Sequence, residues 1–340
     1  MMPWQPSADI KQLKQRAKII SQIRDFFANL DVLEVDTPVM SHYGVSDPHI
    51  DSIPVDFGSH STMPDAAIKH SMCLVSSPEY AMKRLLAAGS GSIYQIAKAF
   101  RNGEVGRRHN PEFTLLEWYR MGFNLQQLMQ EVACLISYVL KNEALKWHFW
   151  SYQQAFEMIL AINPLTASDH AIKAKALAQV DIQMDAGAPR DAWLDLLMSH
   201  CIEPNLPKAC FVFDYPASQS ALAMIHIDAF GNQVARRFEV YVNGMELANG
   251  YEELTDAQEQ EQRFVMDNAT RLAMGKTPMA ADDRLIQALA AGLPECAGVA
   301  LGIERLLMLA SGEADIAKVM AFNHHLSLIH ISEPTRRSAI

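Results

Sequence analysis

Apolar positions near the start of the chain recur at two different intervals. From Asp9 to about Leu30 they follow helical spacing, which predicts a helix with Asp9 as its N-cap. The segment 32–40, VLEVDTPVM, alternates like a strand until Pro38 interrupts regular pairing. Residues 41–71 are rich in His, Ser, Asp and Pro, so we expect an irregular and partly stranded segment there.

Segment 73–89 predicts a strand, a turn and a helix, in which Ser77 caps the helix and Pro78 takes its first position. Segment 92–120 then predicts two antiparallel strands joined by a charged loop.

The chemistry of this predicted hairpin is its most informative property. The loop concentrates positive charge suited to a polyanion, from Arg101, Arg107, Arg108 and His109. The returning strand places Phe113, Glu117 and Tyr119 at odd spacing, so all three face one side. An aromatic ring, a carboxylate and a phenol beside such a loop indicate a nucleotide and a cationic substrate held next to each other.

The remaining pattern indicates an α+β fold. Residues 124–142 and most of 152–200 have helical spacing, with breaks near Pro164 and Pro189, and we interpret about 124–205 as a helical insertion. Strand patterns return from Ala209, a helix is predicted over 256–274, and segment 298–310 predicts a strand running into a helix. This order favours one catalytic domain over 1–322, with a mixed, mainly antiparallel sheet flanked by helices.

Composition narrows the function classes. The formal charge of −10 over 340 residues disfavours a large nucleic-acid footprint, which needs clustered Lys and Arg. Five scattered cysteines without a CxxC pair are typical of reduced thiols. The N-terminus lacks an apolar signal core and no segment reaches membrane-spanning length, so we expect a soluble cytoplasmic protein.

The last 18 residues, 323–340, have no clear place in a core and look like translated vector sequence. We therefore expect a non-native or disordered tail, with no function for His324, His325 and His330.

Three segments together resemble the class II aminoacyl-tRNA synthetases. The first is the N-terminal helix followed by VLEVDTPVM; the second is FRNGEVGRRHNPEF; the third is GVALGIERL, which contains Arg305. Within that class, SSPEYAMKRLL, NPEFTLLEWY and FEVYVNGMELANGYEEL are similar to the lysyl branch, and the match runs from about residue 9 to 322. The first motif begins almost at Met1, so we expect no N-terminal anticodon-binding domain, as in the stand-alone paralogue family of elongation factor P–(R)-β-lysine ligases.

The resemblance implies an ATP-dependent, AMP-forming ligase that uses Mg²⁺. It would activate lysine or β-lysine as an adenylate, transfer it to a lysine side chain of translation elongation factor P, and form a homodimer through the first motif. Two alternatives stay open: tRNA charging of the lysyl-tRNA synthetase type, which the missing domain and acidic charge disfavour, and a catalytically weakened regulatory paralogue.

The resemblance also implies roles for individual residues. Arg101 and Arg305 would be catalytic, clamping the triphosphate from its two ends. The expected ATP-binding residues are Arg101, Asn102, Gly103, Arg108, His109, Asn110, Phe113, Glu246, Leu247, Gly302 and Arg305. The expected substrate-binding residues are Ser77, Pro78, Glu79, Glu117, Tyr119, Asn249, Tyr251, Glu253 and Ala300. Glu239 and Glu246, seven apart on a hairpin, would hold Mg²⁺. Taken singly, Phe113 could be a core residue and the glutamates solvated surface acids.

Two positions depart from the family pattern. Gly103 stands where the second motif usually carries glutamate, which predicts weakened ATP handling unless Glu104 substitutes from an irregular loop. Ala300 stands where lysyl-tRNA synthetases generally have glycine, so its methyl group reshapes the pocket floor.

Overall fold

The computed structural model describes residues 4–56, 71–181, 184–185 and 187–324. Its helices are α1 Ile10–Asn29, α2 Glu79–Ala87, α3 Leu125–Leu140, α4 Tyr152–Leu160, α5 Asp169–Gln179, α6 Arg190–Leu197, α7 Ala257–Ala273, α8 Asp283–Gly292 and α9 Ile303–Ser311. Its strands are β1 Leu33–Glu34, β2 Met40–Ser41, β3 Ile53–Asp56, β4 Ser71–Leu74, β5 Ile93–Phe100, β6 Glu112–Met121, β7 His148–Ser151, β8 Ala209–Pro216, β9 Ile225–Ile227, β10 Gln233–Val242, β11 Met245–Glu252 and β12 Cys296–Gly302.

The large sheet is mixed and mainly antiparallel. Its strand order is β1-β5-β6-β12-β11-β10-β8-β7, with β9 paired to β10, and only β1–β5 and β7–β8 run parallel. A separate small sheet has the order β2-β4-β3. The predicted hairpin of segment 92–120 is β5 and β6, paired from Ile93 opposite Tyr119 to Phe100 opposite Glu112. Helices pack against this mixed sheet, which confirms the predicted α+β class.

Both faces of the central strands are buried, which explains their nearly continuous apolar runs. In β8, Ala209 and Phe211 point into the main core with α1, α3 and α9. Cys210 and Val212, which alternate with them, point into a second core formed with α4 and α6. The period-two geometry of a strand therefore divides one apolar run between two cores.

Helix α1 begins as predicted, because the Asp9 side chain accepts a hydrogen bond from the Gln12 backbone N–H at 2.8 Å. The strand predicted over 32–40 is wrong in length: only β1 and β2 form at its ends. Pro38 has no backbone N–H to donate, and the chain leaves the large sheet there to join the small one. Of the segment predicted to be irregular, 57–70 lie outside the described residues.

The helical interpretation of 124–205 omitted one strand. β7 lies within that span and pairs with β8 in the large sheet, and α3 belongs to the main core rather than to a separate unit. An insertion over these residues stays a prediction. Helix α8 was also not predicted, although Asp282 caps it and Leu285 and Leu289 bury one face.

The first two residues of the predicted tail contact the body of the protein. The backbone N–H of Asn323 donates to Ser7 Oγ at 3.0 Å, and that of His324 donates to Asn110 Oδ1 at 2.8 Å. Residues 325–340, including His325 and His330, lie outside the described ranges. No helix within the described ranges combines the length and hydrophobicity that a membrane span needs.

Candidate active site

Strand register aligns a row of polar positions across four strands. Glu117 on β6 lies opposite Ala300 on β12, Ala300 lies opposite Asn249 on β11, and Asn249 lies opposite Glu239 on β10. The residues that alternate with them, such as Trp118, point into the main core on the other face. These four side chains therefore share the face of the sheet that is turned away from that core.

A second row lies two residues along and shares that face. It runs from Tyr119 to Gly298, Tyr251 and Arg237. The Tyr119 hydroxyl donates to Glu117 Oε1 at 2.7 Å, which joins the two rows. The prediction that Glu117 and Tyr119 point to one side is thus confirmed.

Glu117 is a buried carboxylate held by hydroxyl groups. Besides Tyr119, Ser77 donates its hydroxyl to Glu117 Oε2 at 3.1 Å. The pKa of Glu117 is raised to about 8: burial and the charge of Glu79 raise it, while the hydrogen bonds from Tyr119 and Ser77 oppose the rise. The predicted cap is one residue off: Pro78, not Ser77, is at the N-cap position and α2 begins at Glu79, but the Glu79 backbone N–H still donates to Ser77 Oγ at 3.0 Å, so this turn positions the carboxylate.

The sequence interpretation missed Lys83, an ammonium group that contacts two of these acids. Lys83 Nζ lies 2.8 Å from Glu79 Oε1 and 2.6 Å from Glu253 Oε2, and the whole side chain is buried. Burial raises the pKa of Glu253 to about 7, and Lys83 opposes that rise. Glu253 also raises the pKa of Glu117, so the half-buried Glu79 and the buried Glu117, Glu253 and Lys83 form one cluster, the acid pocket.

Arg305 organises the opposite part of the site. Its Nη1 donates to the carbonyl oxygen of Glu246 at 2.9 Å and to Glu246 Oε2 at 3.1 Å, and its Nη2 donates to His109 Nε2 at 2.8 Å. Because a guanidinium only donates, Nε2 must be the unprotonated ring nitrogen. Burial and the nearby arginines, Arg305 first, lower the pKa of His109, which agrees with a neutral ring.

Arg101 lies against an aromatic ring and acts on two of the residues that Arg305 contacts. Its guanidinium carbon is 5.1 Å from the centroid of Phe113, and its charge lowers the pKa of both His109 and Glu246, as that of Arg305 does. Within the described ranges, Arg101 Nε is buried without a hydrogen-bond partner. The positive charges of Arg101 and Arg305, the two arginines predicted to clamp a triphosphate, therefore both act on His109 and Glu246.

The loop after Arg101 is irregular rather than extended. Gly103 has φ +78°, a conformation that favours glycine, and Glu104 Oε1 lies 3.7 Å from Arg101 Nη1. The irregular loop that such a substitution by Glu104 requires is therefore present. Glu104 thus puts a carboxylate beside Arg101 although the usual motif position holds Gly103.

A buried arginine outside the motifs anchors this loop. The Asn102 backbone N–H donates to the carbonyl oxygen of Asp51 at 2.8 Å. Arg271 donates to the carbonyl oxygens of Asp47 and Ile50 and, at 3.0 Å, to Asp51 Oδ1. Sequence spacing did not predict this role of Arg271, because Asp47, Ile50 and Asp51 lie more than two hundred residues away from it.

Other predicted ATP-binding residues have protein partners of their own. Arg108 Nη1 donates to the carbonyl oxygen of Gly244 at 2.9 Å. Asn110 donates to the carbonyl oxygen of Glu112 at 2.6 Å and accepts from His324, which commits both ends of its amide. Leu247 is buried in the main core, so only its backbone faces the site, and Gly302 ends β12 directly before α9. Their contacts with ATP stay predictions.

Glu239 and Glu246 lie on the β10–β11 hairpin as predicted. Glu239 accepts hydrogen bonds from Arg237 at 2.6 Å, from Tyr215 at 2.7 Å and from Tyr241, while Glu246 pairs with Arg305. The charge of Glu239 raises the pKa of Glu246. The described residues contain no group of three or more His, Cys, Asp or Glu suited to a metal ion.

The two halves of the site suit different ligands. Arginine and imidazole groups at one end, beside the Phe113 ring, can bind phosphates and a base. The acid pocket at the other end can bind ammonium groups. Asn249 lies between them in the first row, and its Oδ1 is buried without a partner in the described part of the chain.

The family model for class II (D, K and N) tRNA synthetases matches residues 6–325. Curated relatives named elongation factor P–(R)-β-lysine ligase include proteins from Vibrio cholerae, 51% identical, and Vibrio atlanticus, 50% identical. A relative of the same name from Salmonella gallinarum is 47% identical. Each alignment covers 94% of this chain and 97% of the relative. This chain therefore belongs to the class II tRNA synthetase family, in the group whose curated relatives carry that ligase name.

Proposed function

We propose that this protein is an ATP-dependent ligase that attaches (R)-β-lysine, or lysine, to a lysine side chain of translation elongation factor P. The observation that carries the proposal is the acid pocket at one end of a row of sheet positions whose other end, Glu239, acts on the Glu246 that Arg305 holds. This arrangement suits an amino acid with extra ammonium charge next to a nucleotide. The names of relatives that match over 97% of their length support the same activity and the protein partner.

The chemistry has two steps. A carboxylate oxygen of the amino acid attacks the α-phosphorus of ATP, and the bond to the bridging oxygen of pyrophosphate breaks. The neutral amine of the acceptor lysine then attacks the adenylate carbonyl, AMP leaves, and the amine proton passes to solvent. Arg101 and Arg305 would stabilise the charge that develops on the phosphates, and Phe113 would stack on adenine. Asn102, Arg108, His109 and Asn110 would complete the nucleotide contacts.

The carboxylates of the hairpin suit a magnesium ion bound with ATP. Mg²⁺ usually takes one or two protein carboxylates together with phosphate oxygens and water, so a pair of acids is a sufficient donor set. Glu246 is the better candidate ligand, because Glu239 already accepts three hydrogen bonds from the protein. When bound, the ion would neutralise phosphate charge.

The pocket residues would orient the amino acid. Glu117, Tyr119 and Glu253 would bind its terminal ammonium group, and Glu79 the amine nearer the carboxylate. Asn249 and Tyr251 would line the carboxylate end. The methyl group of Ala300, directly between Glu117 and Asn249 in the register, would shift where the second amine sits.

Exposed apolar residues near the first motif support a homodimer. Four apolar residues on or next to α1, β1 and β2 are at least 39% exposed: Ile10, Leu33, Val39 and Met40. Light scattering at micromolar concentration is expected to give the mass of a dimer, and a monomeric mass would contradict this arrangement.

The function is tested by mass spectrometry of the acceptor protein. Purified enzyme, ATP, Mg²⁺ and β-lysine or lysine are incubated with elongation factor P, which is then weighed. We expect the added mass of one lysyl group, dependent on ATP and absent with an acceptor whose target lysine is replaced by arginine. Unchanged mass with both isomers would overturn the proposal.

Parallel assays separate the alternatives. Charging of tRNA(Lys) without modification of elongation factor P would favour the tRNA-charging alternative. The absence of pyrophosphate exchange with either isomer would favour a regulatory paralogue. The Glu104 carboxylate beside Arg101 supports an active enzyme, since it supplies the group that Gly103 lacks.

Binding of the diamino acid is expected to tighten as the pH rises towards 8. Glu117, surrounded by Glu79, Glu253 and Tyr119, has a pKa raised to about 8, so the empty pocket holds a proton there at neutral pH. An ammonium ligand favours the ionised carboxylate, so binding below pH 8 releases the proton and affinity rises by at most about tenfold per pH unit. Above pH 8 affinity is expected to level off until the substrate amine itself loses its proton.

Calorimetry in buffers of different ionisation enthalpy measures this proton release directly. The Glu117→Gln variant, which has no proton to release there, is the control and should bind weakly without this pH slope. The expectation fails if the wild type binds with no proton release at pH 7.

A further inference from the structure

Lys83 is a charged residue of the acid pocket for which neither the sequence motifs nor the names of the relatives give a role. It lies one helical turn after Glu79 on α2 and is 1% exposed. Its ammonium group lies between Glu79 and Glu253, at 2.8 and 2.6 Å. A buried amine without partners would lose its proton. Here burial lowers the pKa of Lys83, but the charges of Glu253 and Glu79 outweigh that effect and hold it above its usual value.

The third carboxylate of the pocket is held differently. Glu117 is bonded to the neutral hydroxyls of Tyr119 and Ser77, and no ion pair of Lys83 reaches it. Once a bound ammonium ligand has displaced the proton of Glu117, three ionised carboxylates and one ammonium group give the pocket a formal charge of −2. Two ammonium groups of a ligand match that charge, provided that its carboxylate is turned towards Arg101 and outside the pocket.

We propose that Lys83 is a specificity-determining residue, a built-in cation that sets the charge of the acid pocket so that it accepts amino acids with two charged amines. This inference rests on the proposed function, because it concerns the same amino-acid pocket. Without Lys83, the three carboxylates of the pocket would face the two ammonium groups of the ligand. One carboxylate would then have no compensating positive charge. Lys83 need not touch the substrate, since it acts through Glu79 and Glu253.

If Lys83 sets the pocket charge, the variant that combines Glu79→Gln with Lys83→Met should bind the diamino acid better than Glu79→Gln alone. Glu79→Gln alone changes the formal charge of the pocket from −2 to −1, which should weaken binding of lysine or β-lysine. Lys83→Met alone changes the formal charge of the pocket from −2 to −3 and should also weaken binding, by roughly tenfold or more. The double variant Glu79→Gln/Lys83→Met restores −2 with Glu117 and Glu253, so it should bind better than Glu79→Gln alone. Met is chosen because it fills a similar volume without charge.

The measurements are the dissociation constant by calorimetry, the KM and kcat for each isomer in pyrophosphate exchange, and the unfolding temperature of each variant. We expect the KM of the double variant to be about threefold or more below that of Glu79→Gln, with a smaller change in kcat. Norleucine, which lacks the terminal amine, is the control ligand and should bind weakly to the wild type and to the double variant.

A purely structural role for Lys83 predicts a different result. The double variant would then bind no better than Glu79→Gln, and this outcome overturns the inference. If Lys83→Met does not fold, the comparison of the double variant with Glu79→Gln still decides, because neither contains an excess carboxylate. If the wild type binds diamino acids but modifies no acceptor, the proposed function fails while this comparison remains decisive. A wild type that binds no diamino acid overturns both.

Discussion

Replacing Arg305 with alanine is expected to reduce pyrophosphate exchange by roughly 100- to 1000-fold, as the loss of a preorganised donor to developing charge does in other enzymes. Arg305 donates to both the backbone and the side chain of Glu246 and to His109. Its loss would remove a cation from the expected phosphate site and release two of the neighbours that shape it. The effect should fall mainly on kcat/KM for ATP, measured by pyrophosphate exchange at saturating amino acid.

Two further variants make this experiment specific. Arg305→Lys keeps the charge but cannot span Glu246 and His109 with a rigid fork, so it should restore only part of the activity. Arg190→Ala removes an arginine of the α5–α6 region that bonds Asp169 and Pro164, and should leave exchange nearly unchanged. Near-normal exchange by Arg305→Ala would contradict the assigned role.

The local alternation of apolar and polar residues was enough to predict the hairpin that carries much of the candidate site. The alternation in 92–120 gave the β5–β6 hairpin and placed Glu117 and Tyr119 on one face. Such predictions succeed because the side-chain period of a strand is fixed at two residues. The N-cap at Asp9 and the helix predicted over 256–274, which forms as α7, were equally local.

Elements that depend on distant partners were harder to predict. β7 has only four residues, and it is a strand because it pairs in parallel with β8, about sixty residues away. The strand expected over 32–40 forms only at its two ends, because β1 pairs with β5 in the large sheet and β2 pairs with β4 in the small sheet. Neither β7 nor the interruption of the strand over 32–40 could be predicted from the β-propensities of the residues in those segments.

The acid pocket shows the same division between local and distant information. The pair of Glu79 and Lys83 was visible in principle, because residues four apart on a helix lie on one face. The contact between Lys83 and Glu253 was not, since it joins α2 to the residue after β11. The same holds for Arg271, whose contacts with Asp47, Ile50 and Asp51 hold the segment that accepts the hydrogen bond from Asn102.

Replacing Gly298 with alanine is expected to abolish most binding of the diamino acid. Gly298 lies between Tyr119 and Tyr251 in the second row. A methyl group there would lie 2.6 Å from Glu253 Oε1 and closer still to the ring of Tyr119. That ring must move, and its hydroxyl then leaves Glu117, so we expect binding to weaken by at least about tenfold, as for a lost hydrogen bond to a charged group. Calorimetric titration with lysine and β-lysine measures the loss.

Gly250→Ala is the matched control, because it inserts the same methyl group on the opposite face of the neighbouring strand. There the methyl would lie 2.6 Å from Phe238 Cε1 and 2.9 Å from Val299 Cβ, both in the main core. Each variant should lose about 1–3 kcal/mol of unfolding free energy through overpacking. Only Gly298→Ala should lose ligand binding out of proportion to its stability. Equal loss of binding in both would mean that general strain in the sheet, and not the contact of Tyr119 with Glu117, governs the pocket.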